Sequence, residues 1–301
     1  MNIGNYILKK KVPHLENQYL NMVNRIINHG AKQEGRNGNT RSLIGQNLRF
    51  NLQNNTIPLL TTKKLAWKTC LKELFWFISG DTSNETLKEQ NVKIWNQNAS
   101  REFLDSRGLY HLVEDDLGPV YGHQWRHYNA KYYNSDINYE GKGVDQLQNV
   151  INQLKNKETR NSRRIILNAW NPIQIDEMAL PPCHVMSQYI VKDDELSVLL
   201  YQRSGDVGLG IPFNIASYSF LAHILGKHCN LKPKEFIHII GDAHIYEEHV
   251  NVLQEQIVKR PYHFPKINIE NKYENIEDYG MKDIEIIDYK YHDKIQMIMK
   301  E

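Results

Sequence analysis

CHVMSQYIVKDDELSVLLYQRS, residues 183–204, contains two runs rich in β-branched and aromatic residues, parted by Lys192, Asp193 and Asp194. The composition of each run predicts a strand, and the two aspartates predict the turn that joins them as a hairpin. Working outward, RRIILNAW (163–170) and EFIHIIGD (235–242) read as further strands, and so does SLIGQNLRFNL (42–52). Between them the period changes. Leu15, Tyr19, Met22, Val23, Ile26 and Ile27 recur at helical spacing, with Gly30 as a stop. A helix over 65–80 ends in ELFWFI, apolar nearly all round, and is therefore buried. Thr82 with Glu85 predicts a capping box that opens a short helix. Residues 96–118 are polar with alternating charges and read as a long surface loop. An amphipathic helix follows over 144–155, and further helices run from Pro212 through FNIASYSFLAHIL and over 246–258. Strands and helices mix without strict alternation, and no repeat or flexible linker divides them. The expectation is a single α+β domain over residues 1–301, a mixed β-sheet with packed helices.

Composition narrows the function classes. Of 301 residues 41% are hydrophobic, enough for a sizeable core. Lys plus Arg number 37 against 35 Asp plus Glu, so no global charge calls for a polyanionic partner, and any phosphate must be held by local arginines. The three cysteines, Cys70, Cys183 and Cys229, have neither metal-ligand spacing nor the density of a disulfide framework. The first 18 residues lack the apolar run of a signal peptide, and no stretch is long and apolar enough for a membrane span. A cytoplasmic protein without metal or membrane association is expected.

Several residues carry chemistry. Cys183 follows two prolines in LPPCHV, which limit backbone freedom and fix its thiol where a strand begins, as suits a nucleophile; the alternative is a small buried hydrophobe. His184 is not expected to serve as its base, because neighbours on a strand point to opposite faces. In QRSGDVGLGIPFN, Arg203 and Ser204 offer donors suited to a phosphate, and Asn214, at the head of a helix, can both donate and accept as a uracil edge requires. Arg163 and Arg164 open a strand as a pair or are solvated surface arginines. His244 and Tyr246, two apart, reach one ligand hydroxyl if the backbone is extended, or pack in the core. Glu73 lies among Leu71, Leu74, Phe75, Trp76 and Phe77, where a carboxylate is costly to bury unless hydrogen-bonded or functional; otherwise it shares an exposed face with Lys72.

ELFWFISGDTS (73–83), LGPVYGHQWRHY (117–128), ALPPCHV (179–185), YQRSGDVGLGIPFNIASY (201–218) and DAHIY (242–246) occur in this order and together resemble the folate-dependent, flavin-independent thymidylate synthase family. The similarity runs from about Tyr19 to the last residue, and SREFLDSRGL (100–109) looks like the longer insert of eukaryotic and viral members. The resemblance implies a reductive methylation of dUMP to dTMP, with methylene-tetrahydrofolate as co-substrate and dihydrofolate as second product. It implies that Cys183 adds to the sixth ring carbon, that Arg203 favours the thiolate and holds the phosphate, and that Ser204 and Arg36 are further phosphate ligands. Arg163 and Arg164 match a pair contributed by the other subunit of a homodimer. Asn214 matches the reader of the uracil edge, His244 and Tyr246 the sugar-hydroxyl ligands, and Trp95 and Phe213 the residues that flank the folate. Asp206 matches a pterin ligand, and Tyr121 and Glu73 the groups that organise proton transfer. Two places depart from the pattern. RNGNTRS (36–42) is shorter than the family's first arginine loop, which predicts a displaced Arg36, and Lys300 and Glu301 stand where small apolar residues are usual, which predicts a different closure.

Two rivals have distinct signatures. A deoxycytidylate hydroxymethylase would prefer a carboxylate at the position of Asn214, because cytosine presents an amino donor where uracil presents a carbonyl. A nucleic-acid-binding regulator would carry a basic stripe or an RNA-binding signature, and the chain has neither.

Overall fold

The computed structural model describes residues 13–35 and 38–299. In chain order the regular elements are α1 (Asn17–His29), β1 (Ala31–Gly35), β2 (Gly38–Asn51), α2 (Trp67–Ser79), α3 (Asn84–Glu89), α4 (Arg101–Ser106), α5 (Tyr121–His127) and α6 (Gln146–Lys155). There follow β3 (Ile166–Asn168), β4 (His184–Lys192), β5 (Glu195–Asp206), α7 (Gly210–Cys229), β6 (Lys232–Tyr246), α8 (Val250–Ile257), β7 (Lys266–Ile269) and β8 (Ile284–Ile287). Among the described residues the main sheet has six strands in the order β1-β2-β6-β5-β4-β3, and β7 with β8 forms a small second sheet. The β5–β6 pair is parallel and the other pairs of the main sheet are antiparallel, so the sheet is mixed, as expected for an α+β domain.

The register explains the layering. Leu167, Ser187, Leu200, His238 and Leu48 stand side by side across β3, β4, β5, β6 and β2, and all are buried. One residue along each strand, Ile166, Gln188, Leu199, Ile237 and Arg49 form the next row, facing the other way. On that opposite face Ile166 is 40% and Tyr201 38% exposed. The covered face receives α7, which packs on β5, β6 and α2. Almost every residue of α7 is buried, which is why its sequence is apolar all round. Helix α2 ends at Gly80, whose φ of 81° is left-handed and whose N–H returns to the Phe77 carbonyl.

The hairpin at residues 183–204 forms as expected, with Asp193 and Asp194 both at positive φ in the turn. Three expectations are corrected. The cap of α3 is Ser83, whose hydroxyl accepts from Glu85 N, because Thr82 is buried and bonded to Tyr132. Residues 96–118 are not a surface loop: α4, capped by Ser100, interrupts them, and Leu104, Leu109, Leu112 and Leu117 are buried. Strand β3 is short, and Arg163 and Arg164 lie in the turn before it rather than at its start.

Candidate active site

A cavity of about 950 Å³ opens where α2, α5, β5, β6 and the first turn of α7 meet. Its wall includes Cys183, Arg203, Ser204, Asp206, Asn214, Phe213, His244, Tyr246, Tyr121, Glu73 and Trp95.

Cys183 stands one residue before β4, and its half-buried thiol is pushed above the usual thiol range by burial, with the charge of Arg203 pulling the other way. Burial prevails in the free protein, so the expected favouring of the thiolate by Arg203 is present but incomplete. The two prolines have a second use. Arg203 donates Nε to the Pro182 carbonyl at 3.0 Å and Nη2 to the Pro181 carbonyl at 2.9 Å, while its backbone N–H meets the Cys183 carbonyl at 2.9 Å. The guanidinium also lies over the Trp170 ring. Hairpin register and these bonds together bring a fixed cation to the sulfur.

Tyr121 opens α5 and accepts two backbone donors, Cys183 N at 2.8 Å and His184 N at 3.3 Å. A phenol oxygen that already accepts twice turns its own hydrogen elsewhere, toward the cavity that Tyr121 lines. Burial raises its pKa far above the ordinary phenol range. Glu73, on α2, is buried and not on an exposed face, which decides between the two readings of its sequence. It accepts from Trp95 Nε1 at 2.8 Å, and burial pushes its carboxyl up to about 7 against that bond.

Asn214 is buried near the start of α7, where its side chain acts on the His184 imidazole and favours the protonated ring against burial. His184 is held neutral, lowered to about 4 by burial. It lines the cavity beside Cys183, contrary to the alternation argument, because strand pairing begins only at His184 and a bulge follows it. His244 and Tyr246 share one face of β6 with their rings 5.5 Å apart, edge to face. Asp206 Oδ1 accepts from Gly208 N at 2.8 Å, which orients the carboxylate at the end of β5.

Arg163 and Arg164 are exposed and do not line this cavity. Arg36, Lys300 and Glu301 lie outside the described residues. Sequence reasoning missed Gln202, His249 and the segment 294–299, all in the wall. Gln202 was legible, since it precedes the singled-out Ser204 by two residues on the same strand. Its amide oxygen meets His238 Nε2 at 2.8 Å and its nitrogen donates to the Ser204 carbonyl at 2.9 Å. Nothing local marks the tail segment, whose place depends on residues far away in the chain.

Residues 17–301 match the family model described as thymidylate synthase. The chain belongs to the thymidylate synthase family. It is 50% identical over 287 residues to a bifunctional dihydrofolate reductase-thymidylate synthase of Paramecium tetraurelia, covering 95% of this chain and 61% of that one. A bifunctional relative in Zea mays is also 50% identical, with 95% and 54% covered. The thymidylate synthase of Ascaris suum is 48% identical over 285 residues, 94% of this chain and 96% of that one. The chain thus spans only about half to three fifths of the bifunctional relatives' length. The thymidylate synthase resemblance and the α+β fold read from the sequence both hold.

Proposed function

We propose that this chain, one catalytic domain over residues 1–301, converts dUMP to dTMP by reductive methylation, with methylene-tetrahydrofolate as co-substrate and dihydrofolate as second product. The observation that carries this reading is the convergence of Cys183, Arg203, Asn214, Tyr121 and Glu73 on one cavity. Cys183 Sγ adds to the sixth ring carbon and makes the fifth carbon an enolate-like nucleophile. Arg203, pinned by the prolyl carbonyls, draws the thiol toward its thiolate and holds the phosphate with Ser204, while the shortened loop leaves Arg36 a displaced, secondary phosphate ligand. Asn214, its partner His184 kept neutral, reads the uracil edge, and His244 with Tyr246 takes the sugar hydroxyl. Tyr121 donates into the cavity, and Glu73, with a pKa of about 7, exchanges protons near neutral pH.

The apolar and aromatic side chains of Ile94, Trp95, Leu209 and Phe213, with the Asp206 carboxylate among them, suit a flat heteroaromatic ring with polar edges, and a volume of about 950 Å³ suits two ligands together. Bound there, methylene-tetrahydrofolate supplies the one-carbon unit and the hydride. Asn214 favours this reading over the hydroxymethylase.

The reading extends to a cytoplasmic homodimer. The uncovered sheet face, with Ile166 and Tyr201 well exposed, is the kind of apolar patch that a second copy buries, and Arg163 and Arg164 are then free to reach the partner's phosphate site. No helix among the described residues is long and apolar enough to cross a membrane. Nucleic-acid binding is not the main role in this reading.

Fluorinated dUMP mixed with methylene-tetrahydrofolate should form a covalent ternary adduct, which peptide mass spectrometry should locate on Cys183. An adduct on another residue, or a Cys183→Ser variant that keeps a tenth of the turnover, overturns the reading. For the dimer, Cys183→Ser and Arg164→Thr proteins refolded together should recover about a quarter of wild-type activity through mixed dimers, whereas each alone stays impaired. Absence of recovery, with subunit exchange verified by pull-down, would assign the arginines to their own subunit.

A further inference from the structure

Beyond β8 the chain returns to the mouth of the cavity in two stages. The first is pinned: Tyr289 donates its hydroxyl to the Leu60 carbonyl at 2.7 Å and accepts from Leu65 N, and His292 N meets the Thr61 carbonyl at 2.8 Å. The second is residues 294–299, which line the cavity. Among the described residues a single hydrogen bond ties this segment back, His249 Nε2 to the Ile298 carbonyl at 2.9 Å. A carbonyl only accepts, so Nε2 is the donor, and Nδ1 is buried and without a partner among the described residues.

The surface beneath is held by hydrogen bonds to its backbone. Tyr19 donates to the Val207 carbonyl at 2.9 Å, the buried Lys63 donates to the Gly208 carbonyl, and Gly208 N is taken by Asp206. A methyl group on Gly208 would stand 3.1 Å from Met297 Sδ, 3.2 Å from Asp206 Oδ1 and 3.2 Å from His249 Nδ1. Tail sulfur, imidazole and cavity carboxylate therefore meet at one bare backbone position.

We propose that His249 is a positioning residue that registers segment 294–299 over the cavity, by fixing the Ile298 carbonyl while Met297 seats against Gly208. It touches no reacting atom. It aligns the outer wall with Asp206, and this bearing on turnover rests on the proposed synthase reading. The docking itself does not depend on that reading and is tested without substrate.

Trypsin acts on the ligand-free protein, and release of the peptide that begins at Ile295 is timed by mass spectrometry. Loss of the His249–Ile298 hydrogen bond in His249→Ala should speed cleavage after Lys294 about tenfold, because proteolysis follows the population of the opened segment. His249→Gln, which keeps a donor, should recover most of the protection. Gly208→Ala, with His249 intact, should also expose Lys294, since its methyl displaces Met297. Equal cleavage in all four proteins overturns the proposal. So does rapid cleavage in His249→Ala that glutamine fails to correct while Gly208→Ala stays protected. With substrates, His249→Ala should lower kcat and raise KM for methylene-tetrahydrofolate. If wild-type protein turns over no dUMP, the functional reading fails while the proteolysis still decides the role of His249.

Discussion

Two glutamates among the described residues are buried, and they do opposite things. Glu16, just before α1, is fully buried and saturated: Thr61 N and Thr62 N donate to it, and the two threonine hydroxyls do so at 2.5 and 2.6 Å. Glu73 has Trp95 Nε1 as its donor and faces a cavity. Burial costs each carboxylate its hydration, but at Glu16 the donors replace the lost water, whereas at Glu73 the shortfall raises the pKa to about 7. Burial alone does not make a carboxylate reactive; a deficit of donors beside an accessible space does.

The same substitution at both sites tests the contrast. Glu73→Gln should lower kcat by roughly a thousandfold, the scale of general acid–base catalysis, while the protein stays folded by circular dichroism. Turnover within tenfold of wild type would remove Glu73 from proton transfer. Glu16→Gln should leave turnover per folded molecule near the wild-type value but cost about 3 kcal/mol, a fall in Tm of roughly 5 °C, because an amide end cannot accept all the donors that face it. An unchanged Tm would mean that the threonine donors find other acceptors.

The pH dependence sharpens the comparison. The Glu73 carboxyl is raised from 4.5 to about 7 in the folded protein, so between these values the folded state keeps a proton that the unfolded chain has released. Stability then falls as pH rises through that window, with a full cost of about 3 kcal/mol above it. Glu73→Gln lacks this term. Its Tm should approach or pass that of wild type as the pH is raised from 4.5 to 7, and parallel curves would show that Glu73 is ionised throughout.

The two sites also differ in how far the sequence reveals them. Glu73 stands out because its neighbours in ELFWFI are apolar, a local pattern. Glu16 meets Thr61 and Thr62 across 45 and 46 residues, and no local pattern reports that. The same division holds elsewhere. The hairpin, α2 and the mixed sheet follow from periodicity and turn residues. Cys183, Arg203 and Asn214 were each suggested by their local sequence, but the proposed roles of nucleophile, phosphate ligand and base reader came together through the order of long motifs that resemble a family. The stretch 96–118 was misread because its charges outnumber the leucines that bury it, and the leucines at 104, 109, 112 and 117 keep neither strand nor helix period. Which wall the tail forms depends on His249 and Gly208, positions whose meaning is purely spatial.

The pairing of β2 with β6 has a consequence for biosynthesis. Arg41 meets Glu247 across 206 residues, so the β1–β2 hairpin must wait for its permanent neighbour. At the pace of a ribosome, roughly 5–20 residues per second, that wait is on the order of 10–40 s. Throughout it the inner edge of β2 and the apolar side chains of Leu48 and Phe50 have no sheet to join, an interval in which a nascent-chain chaperone has something definite to shield.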